Sequence, residues 1–185
     1  MKTKRLFPVL LTTISLGGML ALWVMTGGQP GLVNDSAAYI GGAESLLSGH
    51  GYSFPYREGE WTPIVHFPPL FSLVIAGVSW LIRISAVQAA SALNLFLFGV
   101  NIALTGLLTW RLTRHHEKRS ISWSLATAVL AACSPGLLWT QAFALSEPLF
   151  LCIMLAFLHA MLFYIRGLSH RSLLSAALLA CLGFW

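Results

Sequence analysis

Charge is the scarcest commodity in this sequence. Charged residues make up 9% of the chain and hydrophobic residues 57%, with only six acids. A soluble domain carries about a quarter charged residues, so too little polar surface exists here to solvate a globule. Cysteine is also sparse. Cys133, Cys152 and Cys181 all fall inside apolar blocks, with no CxxC pair and no disulfide spacing, which leaves buried thiols as the plain reading. The mean hydropathy of +0.76 goes with an excess of basic residues, giving a formal charge of +5. The basic residues flank the apolar blocks, as orientation signals do, and nucleic acid is not the expected partner.

What is abundant is continuous apolar sequence. The blocks are Leu6–Gly27, Pro69–Ile84, Val87–Trp110, Ile121–Thr140 and Pro148–Ile165, with another beginning at Ser172. Most are near the roughly 20 residues a helix needs to cross about 30 Å of hydrocarbon. They are continuous rather than alternating, so helices and not a barrel are expected. Met1 to Arg5 followed by Leu6 resembles a signal peptide start. The apolar run is long for one and no small-x-small cleavage site follows, so the first block reads as an uncleaved span.

The short Pro69–Ile84 block decides the topology. Counted as a span, it leaves four Lys/Arg inside and seven outside. Counted as a helix that lies at the interface, it leaves nine inside (Lys2, Lys4, Arg5, Arg111, Arg114, Lys118, Arg119, Arg166, Arg171) and two outside (Arg57, Arg83). The positive-inside rule selects the second arrangement. The expected fold is therefore an all-α polytopic membrane protein: four spanning helices plus a truncated fifth, with juxtamembrane helices in a long first external loop, residues 28–86. The whole of 1–185 forms one transmembrane domain, multi-pass in the inner (plasma) membrane, with a cytoplasmic N-terminus. The last apolar stretch begins fourteen residues before the end of the chain, too few to span, so a fragment or truncated product is expected, inactive by itself.

Local signals sharpen the boundaries. Ser146-Glu147-Pro148 reads as a helix start, with Ser146 as cap, Glu147 at the positive helix end and Pro148 in the first turn. Ser134-Pro135-Gly136 predicts a kink. Asn94 and Asn101, seven apart, share a helix face and are expected to pack against other helices, because an amide facing lipid is costly.

The acids concentrate in the first external loop, which holds Asp35, Glu44, Glu58 and Glu60. From Asn34 onward the sequence predicts a short surface helix, with Tyr39, Ala43 and Leu46/Leu47 on one apolar face and Ser48-Gly-His-Gly51 as its stop. Asp35 is either the N-cap of that helix or a carboxylate held at the membrane boundary for catalysis; capping is compatible with both. His50 and His66 read as loop residues or as ligands. Glu147, the single acid between Ile121 and Ile165, serves the helix dipole or a site.

The pattern Asp35-x3-Tyr39-x3-Ala43-x2-Leu46-x2-Gly49-x-Gly51-Tyr52 resembles the first external loop of C-type (GT-C) glycosyltransferases, closest to the protein O-mannosyltransferase and lipid A aminoarabinose-transferase superfamily. His66-Phe-Pro-Pro-Leu70 is similar to their His/Lys-Pro-Pro-Leu element, and Ala144-Leu-Ser-Glu-Pro-Leu-Phe150 to the acidic motif of their second external loop. The resemblance covers nearly the whole chain, corresponding to the N-terminal third or so of a full member. It implies transfer of a sugar from a polyprenyl-phosphate carrier to a lipid or protein acceptor outside the cytoplasm, with inversion. Asp35 would be the base and Glu147 the second acidic residue, positioning acceptor or metal; Tyr39, His66 and Arg57 would contact substrate. Many relatives have two adjacent acids where this chain has Asp35-Ser36, so a divalent metal is implied only loosely, and no other cofactor is.

The rival classes are a transporter or channel subunit and a non-catalytic assembly subunit. Transport sites place ionisable groups at mid-membrane depth. The spans here hold no Asp, Glu, Lys or Arg at their centres, and His159 is the one deep imidazole. The charge count carries a direct test: a reporter fused after Arg114 is expected to stay on the cytoplasmic side, and one fused after Ser48 to be exported. Export of both would reverse the topology.

Overall fold

The computed structural model describes residues 2–57, 60–114 and 119–184, and the chain is mostly helical. In order it forms α1 (Lys2–Thr26), α2 (Asn34–Leu47), a two-stranded antiparallel hairpin of β1 (Ser53–Arg57) and β2 (Glu60–Pro63), then α3 (Pro69–Ile82), α4 (Ala86–Thr113), α5 (Ser120–Ala132), α6 (Pro135–Ala142), α7 (Glu147–Gly167) and α8 (His170–Phe184). The hairpin departs from the all-α expectation: Phe54 and Trp61 suit strands, and the register pairs Ser53 with Pro63 and Phe54 with Thr62.

Among the described residues three helices are long and apolar enough to cross a membrane: α1 from Leu6 onward, α4 and α7. The pair α5 and α6 passes only together, bent by 51°, and makes a fourth if read as one span. The expected kink at Ser134-Pro135-Gly136 is therefore present, and Pro135 opens α6 where its missing N–H costs nothing. The count of three to four is as far as helix length takes the expected four spans and a begun fifth; α3 and α8 are shorter apolar helices.

In lipid, apolar surface gives no net drive for helices to associate, so close packing must come from small residues. A Cβ on Gly99 would lie 2.5 Å from Met19 Sδ, and one on Gly106 2.6 Å from Leu11 Cδ1. Gly106 thus lets α4 approach α1 and α5 closely enough for Ser124 Oγ to donate to the Gly106 carbonyl at 2.6 Å. Around these glycines Phe7, Leu11, Leu22, Phe98, Ile102, Ala128 and Ala131 form one buried cluster.

A second cluster lies at the opposite end of α4. There Tyr39, Ile40 and Ala43 of α2 meet Phe71, Ile75 and Ala76 of α3, with Ala86, Ala89, Ala90 and Ala144. Ser72 Oγ of α3 donates to the Tyr39 carbonyl at 2.9 Å, and the α3–α4 turn closes with Arg83 in the left-handed region, φ 60°, and Ser79 Oγ on the Ile84 carbonyl. Residues of α2, α3 and the start of α4 thus share one buried cluster. At 14 residues, about 21 Å long, α3 begins and ends at one end of the bundle.

The two ends differ in charge. Phe7 stacks on Trp110 with centroids 5.7 Å apart, and Arg166 Nη2 donates to the Arg111 carbonyl, so the start of α1 and the ends of α4 and α7 lie together. This is the basic end. Asp35, Glu44, Glu60 and Glu147 lie at the other, acidic end.

The asparagines of α4 do what their spacing predicted. Asn94 Nδ2 donates to the Phe143 carbonyl and, at 3.3 Å, to that of Gln141; Asn101 Nδ2 donates to the Pro148 carbonyl at 3.0 Å. Both amides are 2% exposed. Replacing Asn101 with Leu keeps the volume and strands that carbonyl. It is expected to cost about 1 kcal/mol, read as a loss of thermal stability in detergent, whereas Leu at the exposed Phe96 is expected to cost less.

Candidate functional site

Two loops meet at the acidic end through backbone. The Gly31 N–H donates to the Ala142 carbonyl at 2.7 Å and the Ala144 N–H to the Gly31 carbonyl at 3.1 Å, an isolated parallel bridge that pairs Gly31 with Phe143. A Cβ at Gly31 would sit 2.5 Å from the Phe143 ring, so a larger residue here would push that ring aside. A side-chain link reinforces the bridge: Tyr39 OH and Ser146 Oγ are hydrogen-bonded at 2.9 Å. Tyr39, 5% exposed, is wedged edge-on against Phe67 and Phe71.

The caps differ from expectation. Asp35 lies inside the first turn of α2, with Val33 as N-cap; the Ser36 hydroxyl receives the Val33 N–H at 3.1 Å. The Asp35 carboxylate is therefore not spent on a cap and stands exposed at the positive end of the helix. Ser146 occupies the N-cap position of α7, but its hydroxyl goes to Tyr39 rather than to its own helix.

Burial holds the Tyr39 phenol above the ordinary tyrosine range; the bond to Ser146 lowers it in part, and the charges of Glu147 and Asp35 raise it further. Both expected carboxylates thus act on one phenol. They line separate cavities, however. Asp35 opens onto a cavity of about 690 Å³ with Glu44, Phe54, Pro55, Trp61 and Phe67. Glu147 and Ser146 line another of about 300 Å³, walled by Pro68, Phe71, Phe150 and Leu182. Phe67 and Pro68 stand between the two.

That partition is braced by Tyr52. Its ring covers Gly42, where a Cβ would be 2.5 Å from it, and its hydroxyl donates to the Phe67 carbonyl at 3.2 Å. Burial raises the Tyr52 phenol as well. The Gly51-Tyr52 end of the first motif is thus a buttress for the second.

The other expected residues are dispersed. His66 is exposed and lines neither cavity. Arg57 ends β1, and its side chain lies outside the described residues. The sequence reading missed Glu44, Phe54 and Trp61, which share the Asp35 cavity, and the stack of His50 on Trp61, centroids 3.9 Å apart and planes 12° apart. The signal available was the alternation Tyr52, Phe54, Tyr56 before Gly59 with Trp61 just after it, a hairpin pattern.

A metal at the position of the paired acids does not fit. Ser36 stands where the second acid would be; it is fully buried and its oxygen already accepts the Val33 N–H. Among the described residues no three His, Cys, Asp or Glu gather as a ligand set. Comparison with known proteins finds no matching family model, curated protein or solved structure.

The link between the loops can be measured. Tyr39→Phe and Ser146→Ala are each expected to cost about 1 kcal/mol, and the double variant no more than either alone if one bond is lost. The raised Tyr39 value means the folded state holds the phenol proton more tightly than the unfolded state. Its contribution is therefore whole below about pH 10, the unfolded value, and falls only as pH rises through the folded value. A loss of this link near neutral pH, seen as wild type and Tyr39→Phe converging in stability, would contradict the assignment.

Proposed function

We propose that this chain is the N-terminal part of a glycosyltransferase that moves a sugar from a polyprenyl-phosphate carrier to a hydroxyl of a lipid or protein acceptor at the non-cytoplasmic face. The observation that carries the reading is the hydrogen-bonded junction of the two acidic loops, Gly31 with Phe143 and Tyr39 with Ser146, which sets Asp35 at the mouth of a cavity. In this assignment the acidic end faces outward and the basic end, with the N-terminus, faces the cytoplasm.

The chemistry follows from the residues. Asp35 accepts the proton of the acceptor hydroxyl as that oxygen attacks the anomeric carbon. The bond from the anomeric carbon to the phosphate oxygen breaks on the opposite side, and its electron pair leaves with the carrier phosphate. The product has inverted configuration. The phosphate is a good leaving group, so no strong acid is needed to protonate it. A cavity of about 690 Å³ falls within the usual range for small-molecule sites, roughly 300–1,000 Å³. Trp61, Phe54 and Phe67 give it apolar faces on which the C–H side of a sugar ring packs, and Asp35 and Glu44 give it acceptors for hydroxyls. Glu147 assists through the shared phenol rather than from the same cavity.

In a full-length form of the protein that carries the activity, Asp35→Asn is expected to lower sugar transfer from polyprenyl-phosphate donors in membrane vesicles by about 10² to 10⁴-fold, with membrane insertion unchanged. Trp61→Ala is expected to raise the donor or acceptor KM more than it lowers kcat. Near wild-type transfer by Asp35→Asn would remove the base, and with it the proposal.

A further inference from the structure

At the opposite end of the bundle a second constellation stands apart from the sugar-transfer reading. Arg111, in the last turn of α4, directs Nη1 at His159 Nδ1 at 2.8 Å, and its guanidinium lies over the Phe163 ring, 4.4 Å from the centroid. His159 is 7% exposed, and its Nε2 faces the Leu104 carbonyl at 3.1 Å. A carbonyl only accepts and a guanidinium only donates, so the one consistent tautomer carries its proton on Nε2 and offers the Nδ1 lone pair to Arg111. The imidazole in this arrangement is neutral. It orients Arg111 without neutralising it.

Arg166 comes from α7 to the same place. Its Nη2 donates to the Arg111 carbonyl, one of the last carbonyls of α4 left without a partner inside the helix. Two guanidiniums are thus gathered by groups that carry no negative charge. Among the described residues no carboxylate faces them. Of the six acids, Asp35, Glu44, Glu58, Glu60 and Glu147 belong to the acidic loops, and Glu117 lies outside the described residues. Among the described residues Lys2, Lys4, Arg5, Arg111, Arg114, Arg119, Arg166 and Arg171 belong to the basic end, and no acid does.

We propose that Arg111 and Arg166 form a site for the phosphate of an anionic phospholipid. Each guanidinium has further N–H donors beyond the one already used, arranged in the planar fork that matches a phosphate. The rim identifies the source of that phosphate. Leu112, Phe163, Ile165 and Leu168, at 55%, 53%, 66% and 72% exposure, flank the arginines with bare apolar surface on which acyl chains lie. A soluble anion gains nothing from such a rim. Basic pockets between helices at a membrane boundary recognise anionic head groups by this combination.

The test uses the 185-residue chain in detergent micelles, titrated with phosphatidylglycerol or with phosphatidylcholine and followed by native mass spectrometry. Phosphatidylglycerol is expected to remain bound where phosphatidylcholine is stripped. Arg166→Gln is expected to weaken retention about five-fold, the factor for losing one basic contact, and Arg83→Gln, at the other end, to leave it unchanged. The proposal is overturned by equal retention of the two lipids, by an equal effect of Arg83→Gln, or by inorganic phosphate competing as well as the lipid does. Should Arg166→Gln fail to fold, Arg166→Lys keeps the charge and removes the fork. It is expected to retain lipid more weakly than wild type, and retention at the wild-type level would overturn the site.

Discussion

The two side-chain amides that α4 extends to the α6–α7 break hold the rest of the architecture in place. A helix that breaks within an apolar bundle frees carbonyls that lipid cannot satisfy. Asn94 and Asn101, two turns apart on α4, provide donors to those of Gln141, Phe143 and Pro148. With the break pinned, Ala142 and Ala144 present their backbone to Gly31, and Ser146 presents its hydroxyl to Tyr39. The acidic end thus takes its geometry from two buried amides of α4. Each interhelical bond of this kind is worth only about 0.6 to 1.7 kcal/mol, so the set works through position more than through strength.

The same economy governs charge. A chain with so few ionisable groups has sorted them almost completely by end, and α3 is what makes the sorting possible. Had α3 crossed the bundle, the arginines after α4 would share a face with Asp35 and Glu44. Its 14 residues instead lie across α2 and the start of α4, and the left-handed Arg83 turns the chain back. The consequence is two ends with different chemistry: acids and aromatics at one, guanidiniums on bare apolar surface at the other.

How far the sequence spoke for itself depends on the range of the force involved. Helix positions, the Pro135 kink and the packing of the asparagines follow from local propensity and from the cost of polar groups in lipid, and all three were legible. The α2 face was legible too: Tyr39 and Ala43 are buried as the spacing required, although Leu47 is 43% exposed. The caps were misread because capping is a competition. Ser146 had a tyrosine 107 residues away to bind, and with Val33 as the cap Asp35 became the second residue of its helix. The cavity of Asp35 was not legible at all, since Glu44 and Trp61 join it only through the hairpin register and the Tyr52 brace. The division between Asp35 and Glu147 is of the same kind: Phe67 and Pro68 separate them only once α3 is folded back.

The parallel bridge at Gly31 carries a consequence for how such a chain can vary over generations. Two backbone hydrogen bonds tie Gly31 to Ala142 and Ala144, with Ser91 Oγ on the Gly28 carbonyl at one side and Asn94 on that of Phe143 at the other. An insertion or deletion in either stretch would slide one loop past the other and leave buried peptide groups unmatched. Length in these two segments is therefore expected to be frozen, even where the identity of the residues drifts.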